Sequence, residues 1–308
     1  MKEIAYQNIN YIPSGSTLPD GRIVYRKLDT TLNDVFLLMN TSLGTTWTAS
    51  AKIERPFKNG FNASGSYLYN RARSINDGTA STAGSNWANN PIGIDANNPP
   101  LTTSNNDARH RVNLTAVLPV PLGKGVRSTA SFFYNGQTGR PYVILFNGNP
   151  NNDGRSNNDI AFIPATPDQV VVFNGTWDQL DAFINGDPAS RNNRGTIPPR
   201  NAGRAPWFNQ LDFRYAVNLP TYGRARVELT LDVFNLLNAF NKDWGWHYFP
   251  KFPNSSGNGL IGYGGIDAGT GKERLNLSTI SSQTFQGTFD RDDLLSRATA
   301  QVGARIRF

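Results

Sequence analysis

RVELTLDVFNLLNAFNKDWGW, residues 226–246, decides how the rest of the chain is read. From Val227 to Phe234 apolar and polar residues alternate almost strictly, with Val227, Leu229 and Leu231 on one side and Arg226, Glu228, Thr230 and Asp232 on the other. Successive side chains of a strand point to opposite faces, so this segment is a two-faced strand; a helix would mix the two sets. An Asn-rich, aromatic run then interrupts the pattern. Asn235, Asn238 and Asn241 recur at intervals of three, and Asn side chains bond local backbone, so they mark the place where the strand ends and a loop begins.

The same period of two recurs along the chain. Trp47, Ala49, Ala51 and Ile53 alternate with Thr48, Ser50, Lys52 and Glu54; Phe61 to Tyr69, Val112 to Leu118, Val126 to Tyr134 and Leu211 to Leu219 behave alike, whereas Val35 to Asn40 alternates poorly. Strands are expected near 1–10, 22–28, 33–42, 46–56, 60–72, 109–118, 125–136, 208–219, 224–235 and 297–308, about ten in all. Their connections differ in length. Pro56–Gly60, Pro119–Lys124 and Pro220–Gly223 are short and turn-rich, while 73–108, 137–206 and 241–296 are long and dominated by Gly, Asn, Asp, Ser and Pro.

Composition narrows the classes. The chain has 308 residues, 38% of them apolar, and a mean hydropathy of −0.45. Its longest apolar runs, Val143–Phe146 and Val170–Phe173, fall far short of the roughly 20 residues of a membrane helix. A transmembrane β-barrel escapes that test, because its lipid face occupies only alternate positions. Strands of about ten residues suit a tilted crossing of the hydrocarbon, and in lipid the sheet must close to pair its backbone. Short links at one end and long loops at the other complete the barrel pattern. The fold class expected is therefore all-β, an antiparallel transmembrane β-barrel with long extracellular loops, lying in a bacterial outer membrane. MKEIAYQNIN lacks the apolar core of a signal peptide, so an exported chain would be cut from something longer. Zero cysteines exclude disulfides and thiolate metal sites. The net charge of +7 is spread among polar residues without a dense basic run, which argues against nucleic acid.

The chain also resembles the C-terminal part of the barrel of TonB-dependent outer-membrane receptors, especially the Oar-like group with a carboxypeptidase-regulatory-like domain. The resemblance rests on MNTSLGTTWTASAKIERPFKNGFNASGSYLYNRA (39–72), RHRVNLTAVLPVPLGKG (109–125), YNGQTGRPY with NPNNDGRSNNDIAFIP (134–164), NAGRAPWFNQLDFRYAVNLP (201–220), VELTLDVFNLLNAFN (227–241) and the terminal ARIRF, in that order. It implies that residues 1–308 are about ten strands of a 22-stranded barrel whose plug domain lies elsewhere. The implied activity is import of a siderophore, glycan or peptide with energy delivered by TonB through the plug. Partners would be outer-membrane lipid, the plug, the remaining strands, TonB, a small or medium-sized ligand, and the barrel-assembly machinery, which would read Phe308.

Individual residues follow from alternation. Asp212, Arg214, Arg226, Glu228, Asp232, Arg305 and Arg307 are expected to face the lumen, because an Arg on the lipid face costs roughly 2 to 4 kcal/mol at the midplane. They either contact plug or substrate, or pair across neighbouring strands; the second reading is favoured. Phe213, Tyr215, Val227, Leu229, Leu231, Val302 and Ile306 are expected to face lipid. Trp244, Trp246, Tyr248 and Phe249 are read as membrane-interface or loop-packing aromatics ahead of a sugar-stacking platform. NPNNDGRSNND (149–159) opens like a calcium loop but would need a bidentate Glu at Ile160, which leaves only a weak metal candidate in Asp153, Asn157 and Asp159. His110, read as a solvated residue at a strand start, and His247 have no acid and nucleophile at triad spacing, so no catalytic residue and no cofactor is expected. The competing classes are a soluble or surface-attached β-sandwich adhesin or carbohydrate-binding protein, in which the apolar faces converge on one core, and an autonomous ten-stranded pore or barrel enzyme.

Overall fold

In a computed structural model the structure describes residues 3–123, 125–156, 158–220, 225–250, 260–278, 280 and 289–307. The N-terminal segment carries β1 (Glu3–Asn8), β2 (Tyr11–Thr17), β3 (Ile23–Lys27) and β4 (Phe36–Thr41), followed by the long hairpin β5 (Thr45–Pro56) and β6 (Asn62–Ser74). The first long loop holds α1 (Ala83–Ala88) and β7 (Thr102–Thr103), and leads to the hairpin β8 (His110–Pro121) and β9 (Arg127–Gln137). The second holds β10 (Pro141–Tyr142), β11 (Phe146–Asn147), β12 (Val170–Phe173), α2 (Trp177–Gly186), α3 (Pro188–Arg191) and β13 (Gly203–Arg204). The hairpin β14 (Phe208–Asn218) and β15 (Arg226–Phe234) comes next. The third loop contains α4 (Leu236–Phe240), β16 (Tyr248–Pro250), β17 (Ile261–Ile266), β18 (Glu273–Asn276), β19 (Phe289–Arg291) and α5 (Asp293–Ser296), and the chain continues into β20 (Thr299–Arg307).

All ten segments expected as strands are strands. Seven of them form one antiparallel sheet in the order β20-β15-β14-β9-β8-β6-β5, with β7 added beside β6, and this sheet is the wall. The three N-terminal ones pair apart from it, as β1 with β4 and β2 with β3. Among the described residues β5 and β20 are the two edges of the wall.

Register fixes the two faces. Val217, Tyr215 and Phe213 of β14 lie opposite Leu229, Leu231 and Val233 of β15, which lie opposite Ala304, Val302 and Ala300 of β20. On the other side of β14 the same row continues through Phe132 and Tyr134, then Ala116 and Leu114, then Ala63 and Gly65, to Ile53. One face is thus a continuous apolar surface, and it is not covered: Val302 is 80% exposed, Ile53 75% and Ile306 55%. Apolar surface left in water is unfavourable by about 25 cal/mol per Å². A lipid environment removes that cost.

Hairpin links close the wall at one end. Gly60 sits at φ +82° in the 57–61 turn, where its N–H bonds the carbonyl of Phe57, and a left-handed backbone there requires glycine. Because the strands are antiparallel, every long loop emerges at the opposite end, and residues 3–44 enter the wall from that end too.

There the loops fold into a second layer, the crown, which contains the hydrophobic core of the molecule. Phe146, Leu180, Ile184, Ile261, Leu275 and Leu277 are fully buried in it and come from the second and third loops. Tyr6, Tyr25, Trp87, Ile92 and Ala96 make a smaller cluster from the N-terminal segment and the first loop. The two loops are joined by parallel pairs, β11 with β17 and β12 with β18, in contrast to the antiparallel wall. Thr176 caps α2 by accepting from the Gln179 N–H at 3.3 Å, while the Gln179 side chain accepts from the Thr176 N–H at 2.9 Å. The described parts of the long connections are therefore folded structure rather than extended polar loops. No helix among the described residues is long and apolar enough to cross a membrane, which says nothing about crossing by strands.

Candidate functional site

The polar face of the wall is built by the alternate residues of the same strands. Asp212, Arg214, Arg226, Glu228, Asp232, Arg305 and Arg307 all fall on it, while Phe213, Tyr215, Val227, Leu229, Leu231, Val302 and Ile306 all fall on the apolar one. Neighbouring strands pair their charges: Arg214 meets Asp232 at 3.3 Å, and Arg305 reaches Glu228 at 3.9 Å. The Asp212 carboxylate accepts from Gln210 at 2.9 Å and from the Asn235 backbone N–H at 2.8 Å. Arg226 stands opposite Arg307 in register. Over the paired strands this face carries seven cations, Lys52, Arg111, Arg127, Arg214, Arg226, Arg305 and Arg307, against the four acids Glu54, Asp212, Glu228 and Asp232. The charges of the apolar face, Arg55, Arg71 and Arg73, are confined to strand ends. Phe308 and Asn157 lie outside the described residues.

At the crown end the apolar face carries aromatic residues. Trp47 meets Tyr69 edge-on at 5.4 Å, and His110 stacks against Tyr67 while its Nδ1 shares a 2.7 Å hydrogen bond with the Tyr67 hydroxyl. His110 does open β8, as expected, but it is half-buried in an aromatic cluster rather than solvated. Further along the same margin, Tyr134 donates to Asn209 at 2.6 Å and Trp207 to the same oxygen at 3.1 Å. Trp246 packs edge-on to Tyr248 under the Arg291 guanidinium, 4.3 Å from the ring centre. A cleft of about 350 Å³ separates Tyr134 and Trp207 from Trp244, Trp246 and Tyr248. At the hairpin end Phe57 and Phe61 stack at 5.0 Å. Aromatics at both margins of an apolar band are what a membrane interface favours.

The Asn residues after β15 tie the third loop shut. Asn235, in a left-handed conformation at φ 52°, donates through its side chain to the carbonyls of Gly245 and Ser296, each at 2.9 Å. Asn238 accepts from the Ala298 N–H at 3.2 Å and donates to Lys242 and Trp244 carbonyls. The two ends of a loop some sixty residues long are thereby held at the base of the crown. Gly245 fits because a Cβ there would lie 2.0 Å from the Asn235 amide oxygen.

Where the polar face meets the crown there is a cavity of about 600 Å³, lined by Asn105, Asn106, Asp107, Arg111, Gln137, Thr138 and Arg140 among others. Asp107 is fully buried and takes Arg109 at 2.6 Å and Arg204 at 2.5 Å on one carboxylate oxygen. Burial alone would raise this carboxyl, but the Arg109 hydrogen bond and the Arg204 charge outweigh it and hold the group below its ordinary range. Arg111 donates to the Gln137 side chain at 2.9 Å. Neither Arg111 nor Arg140 has an acidic partner among the described residues, and both are exposed. The only local sign of this site in the sequence is RHR at 109–111, which places cations at the head of a strand.

A second buried charge group lies inside the crown. The fully buried Arg22 pairs with Asp20 at 3.0 Å and Asp159 at 2.7 Å, and donates to the Ile160 carbonyl at 2.6 Å. Glu273, 2% exposed, faces this group without a well-directed donor for either oxygen among the described residues. Burial pushes Asp159 up to about 7 against the pull of Arg22, and burial with the nearby Asp20 carboxylate raises Glu273. Asp159 is thus committed to Arg22. Asp153 is committed too, accepting from the Arg155 N–H at 2.9 Å and from Asn158 at 3.1 Å. Residues 149–153 form a turn closed by its own Asx hydrogen bonds, and no cluster of three or more His, Asp or Glu placed to hold a metal occurs among the described residues.

Residues 3–270 match the family model described as an outer membrane beta barrel domain. No curated protein and no solved structure gives a match.

Proposed function

Because the chain belongs to the outer membrane β-barrel domain family, and so to the bacterial outer membrane, we propose that it forms wall and mouth of a TonB-dependent receptor importing a nutrient such as a siderophore, glycan or peptide. The observation that carries this reading is the split of the wall into an uncovered apolar face and a face holding Arg214, Asp232, Glu228 and Arg305 in cross-strand pairs. The first face meets lipid. The second lines the lumen, where water relaxes the desolvation cost of those charges. A β-sandwich adhesin would bury the apolar faces against each other, which Val302 and Ile306 do not do. What favours a receptor over a simple pore is the crown, whose loops carry a core of their own above the polar face, together with the ordered set of receptor-like motifs.

In this reading ligand binds under the crown, TonB acts on the plug supplied by the parent receptor, and the ligand passes along the polar face. Edge strands β5 and β20 join the remaining strands of the barrel, and Phe308 is the residue read by the assembly machinery. The chain contributes binding and lining, and performs no covalent chemistry. The test is site-specific photo-crosslinking in native outer membranes from Thr230 and Gln301, which share the lumenal face. A plug-domain adduct from both positions is expected. Normal insertion with no plug adduct would leave a passive barrel and end the receptor reading.

A further inference from the structure

We infer that the cavity between crown and polar face is a binding site for small hydroxylated anions, compounds carrying a carboxylate or phosphate on a polyol or sugar-sized frame. The import reading gives this site its role, but the binding claim stands on the cavity itself.

Charge comes first. Arg111 and Arg140 line the cavity together with Asp107, and Asp107 is already consumed by Arg109 and Arg204. Two guanidinium groups thus satisfy the one carboxylate of the lining, and Arg111 and Arg140, which line the same cavity, have no acidic partner among the described residues. Arg111 spends its Nε on Gln137, which orients the planar group and leaves its terminal nitrogens for a ligand. A guanidinium fork matches the oxygens of carboxylate or phosphate, and a nearby unpaired cation raises the affinity for either.

The remaining lining favours hydroxyl groups. Asn105 accepts from Asn201 at 2.8 Å and is fixed in place. The Asn106 side chain and the Gln137 amide nitrogen are unspent among the described residues, so they offer donors and acceptors beside the cations. A cavity of about 600 Å³ has room for a ligand of one or two rings. The path below it agrees, since the polar face of the wall carries more cations than acids and would draw anions inward.

The test uses the whole chain in detergent at low ionic strength, with glucose 6-phosphate, glucuronate and glucose as probes in calorimetric titrations. Binding of glucose 6-phosphate or glucuronate, weakening with added salt, is expected, with glucose failing to bind; which anion binds more tightly separates phosphate from carboxylate recognition. Arg111→Gln and Arg140→Gln should each weaken binding about tenfold, roughly the worth of one charge-assisted hydrogen bond. Arg111→Lys should recover part of the loss, and Arg26→Gln, at an exposed position of β3 outside the cavity lining, should leave affinity unchanged. Each variant is checked for the wild-type melting profile. Wild-type protein that ignores both anions, or a folded Arg111→Gln/Arg140→Gln double variant that binds them as well as wild type, overturns the inference. Anion binding that persists where crosslinking finds no plug would sink the receptor reading alone.

Discussion

Wall and crown use apolar side chains in opposite ways. In the wall Val302 and Ile53 are 80% and 75% exposed, while in the crown Phe146, Ile261 and Leu275 are completely enclosed. The wall is held by long backbone ladders, β5 with β6 and β8 with β9, and its greasy surface is finished by lipid. The crown is finished by itself, with a core, capped helices and buried ion pairs. One chain thus meets two solvents, and the meaning of an exposed leucine depends on which part holds it.

The largest expected effect breaks the crown and spares the wall. Arg22→Ala leaves Asp20 and Asp159 buried without their cation, and losing one member of such a group costs about 3 to 5 kcal/mol. Limited proteolysis in detergent should show cuts in the crown segments while the wall keeps its heat-resistant mobility on electrophoresis. Simultaneous loss of both would mean that wall and crown are one cooperative unit.

Next in size is the lipid face. Leu229→Arg should cost roughly 2 to 4 kcal/mol if position 229 lies near the bilayer midplane, whereas Thr230→Arg, one residue along and on the polar face, should cost little. Reversible unfolding in lipid vesicles measures both. Equal costs would erase the distinction between the faces.

A pH scan separates the two regions differently. Asp159 sits near 7 in the folded crown against about 3.9 for an unperturbed Asp, and Glu273 is also raised. A raised carboxyl binds its proton more tightly when folded, so its contribution is fully present below the unfolded value and is lost as pH rises through the folded one. Crown stability, followed by hydrogen exchange of β17 and β18, should therefore decline from about pH 4 to above pH 7. Glu273→Gln should make that decline shallower, and the amides of β14 and β15 should not follow it. The smallest effect belongs to Arg305→Gln: its partner Glu228 is 3.9 Å away and Arg305 is largely exposed, so thermal stability should change by less than about 1 kcal/mol.

The contrast also explains what the sequence made legible. Every wall strand shows itself locally, because period two is written within eight or ten consecutive residues, and Val227, Leu229 and Leu231 fall on one face as their spacing requires. The Asn residues after β15 were readable as a strand exit, though not as the ties across the base of the third loop. The crown is hidden for the opposite reason. Its core joins Phe146, Val170, Leu180, Ile261 and Leu275, drawn from short pieces that lie far apart in sequence and show no period. Val143–Phe146 and Val170–Phe173 stand out only as runs too short to span a membrane; in the structure the first is buried throughout and the second enters the core through Val170. Arg22 gives no sign of burial in PDGRIVY, since its partner Asp159 is 137 positions away. The anion cavity is likewise assembled by loop closure, from residues 79–111, 137–141 and 250.

The most direct test of the two-faced wall exploits the absence of cysteine from the chain. Single cysteines at positions 229, 231 and 302, and in separate variants at 230, 232 and 301, are labelled with an environment-sensitive fluorophore and reconstituted in vesicles containing brominated lipid. Strong quenching at 229, 231 and 302, with water-soluble quencher reaching 230, 232 and 301 instead, is the expected result. Quenching that ignores the alternation, or that shields all six positions from both agents, would contradict it.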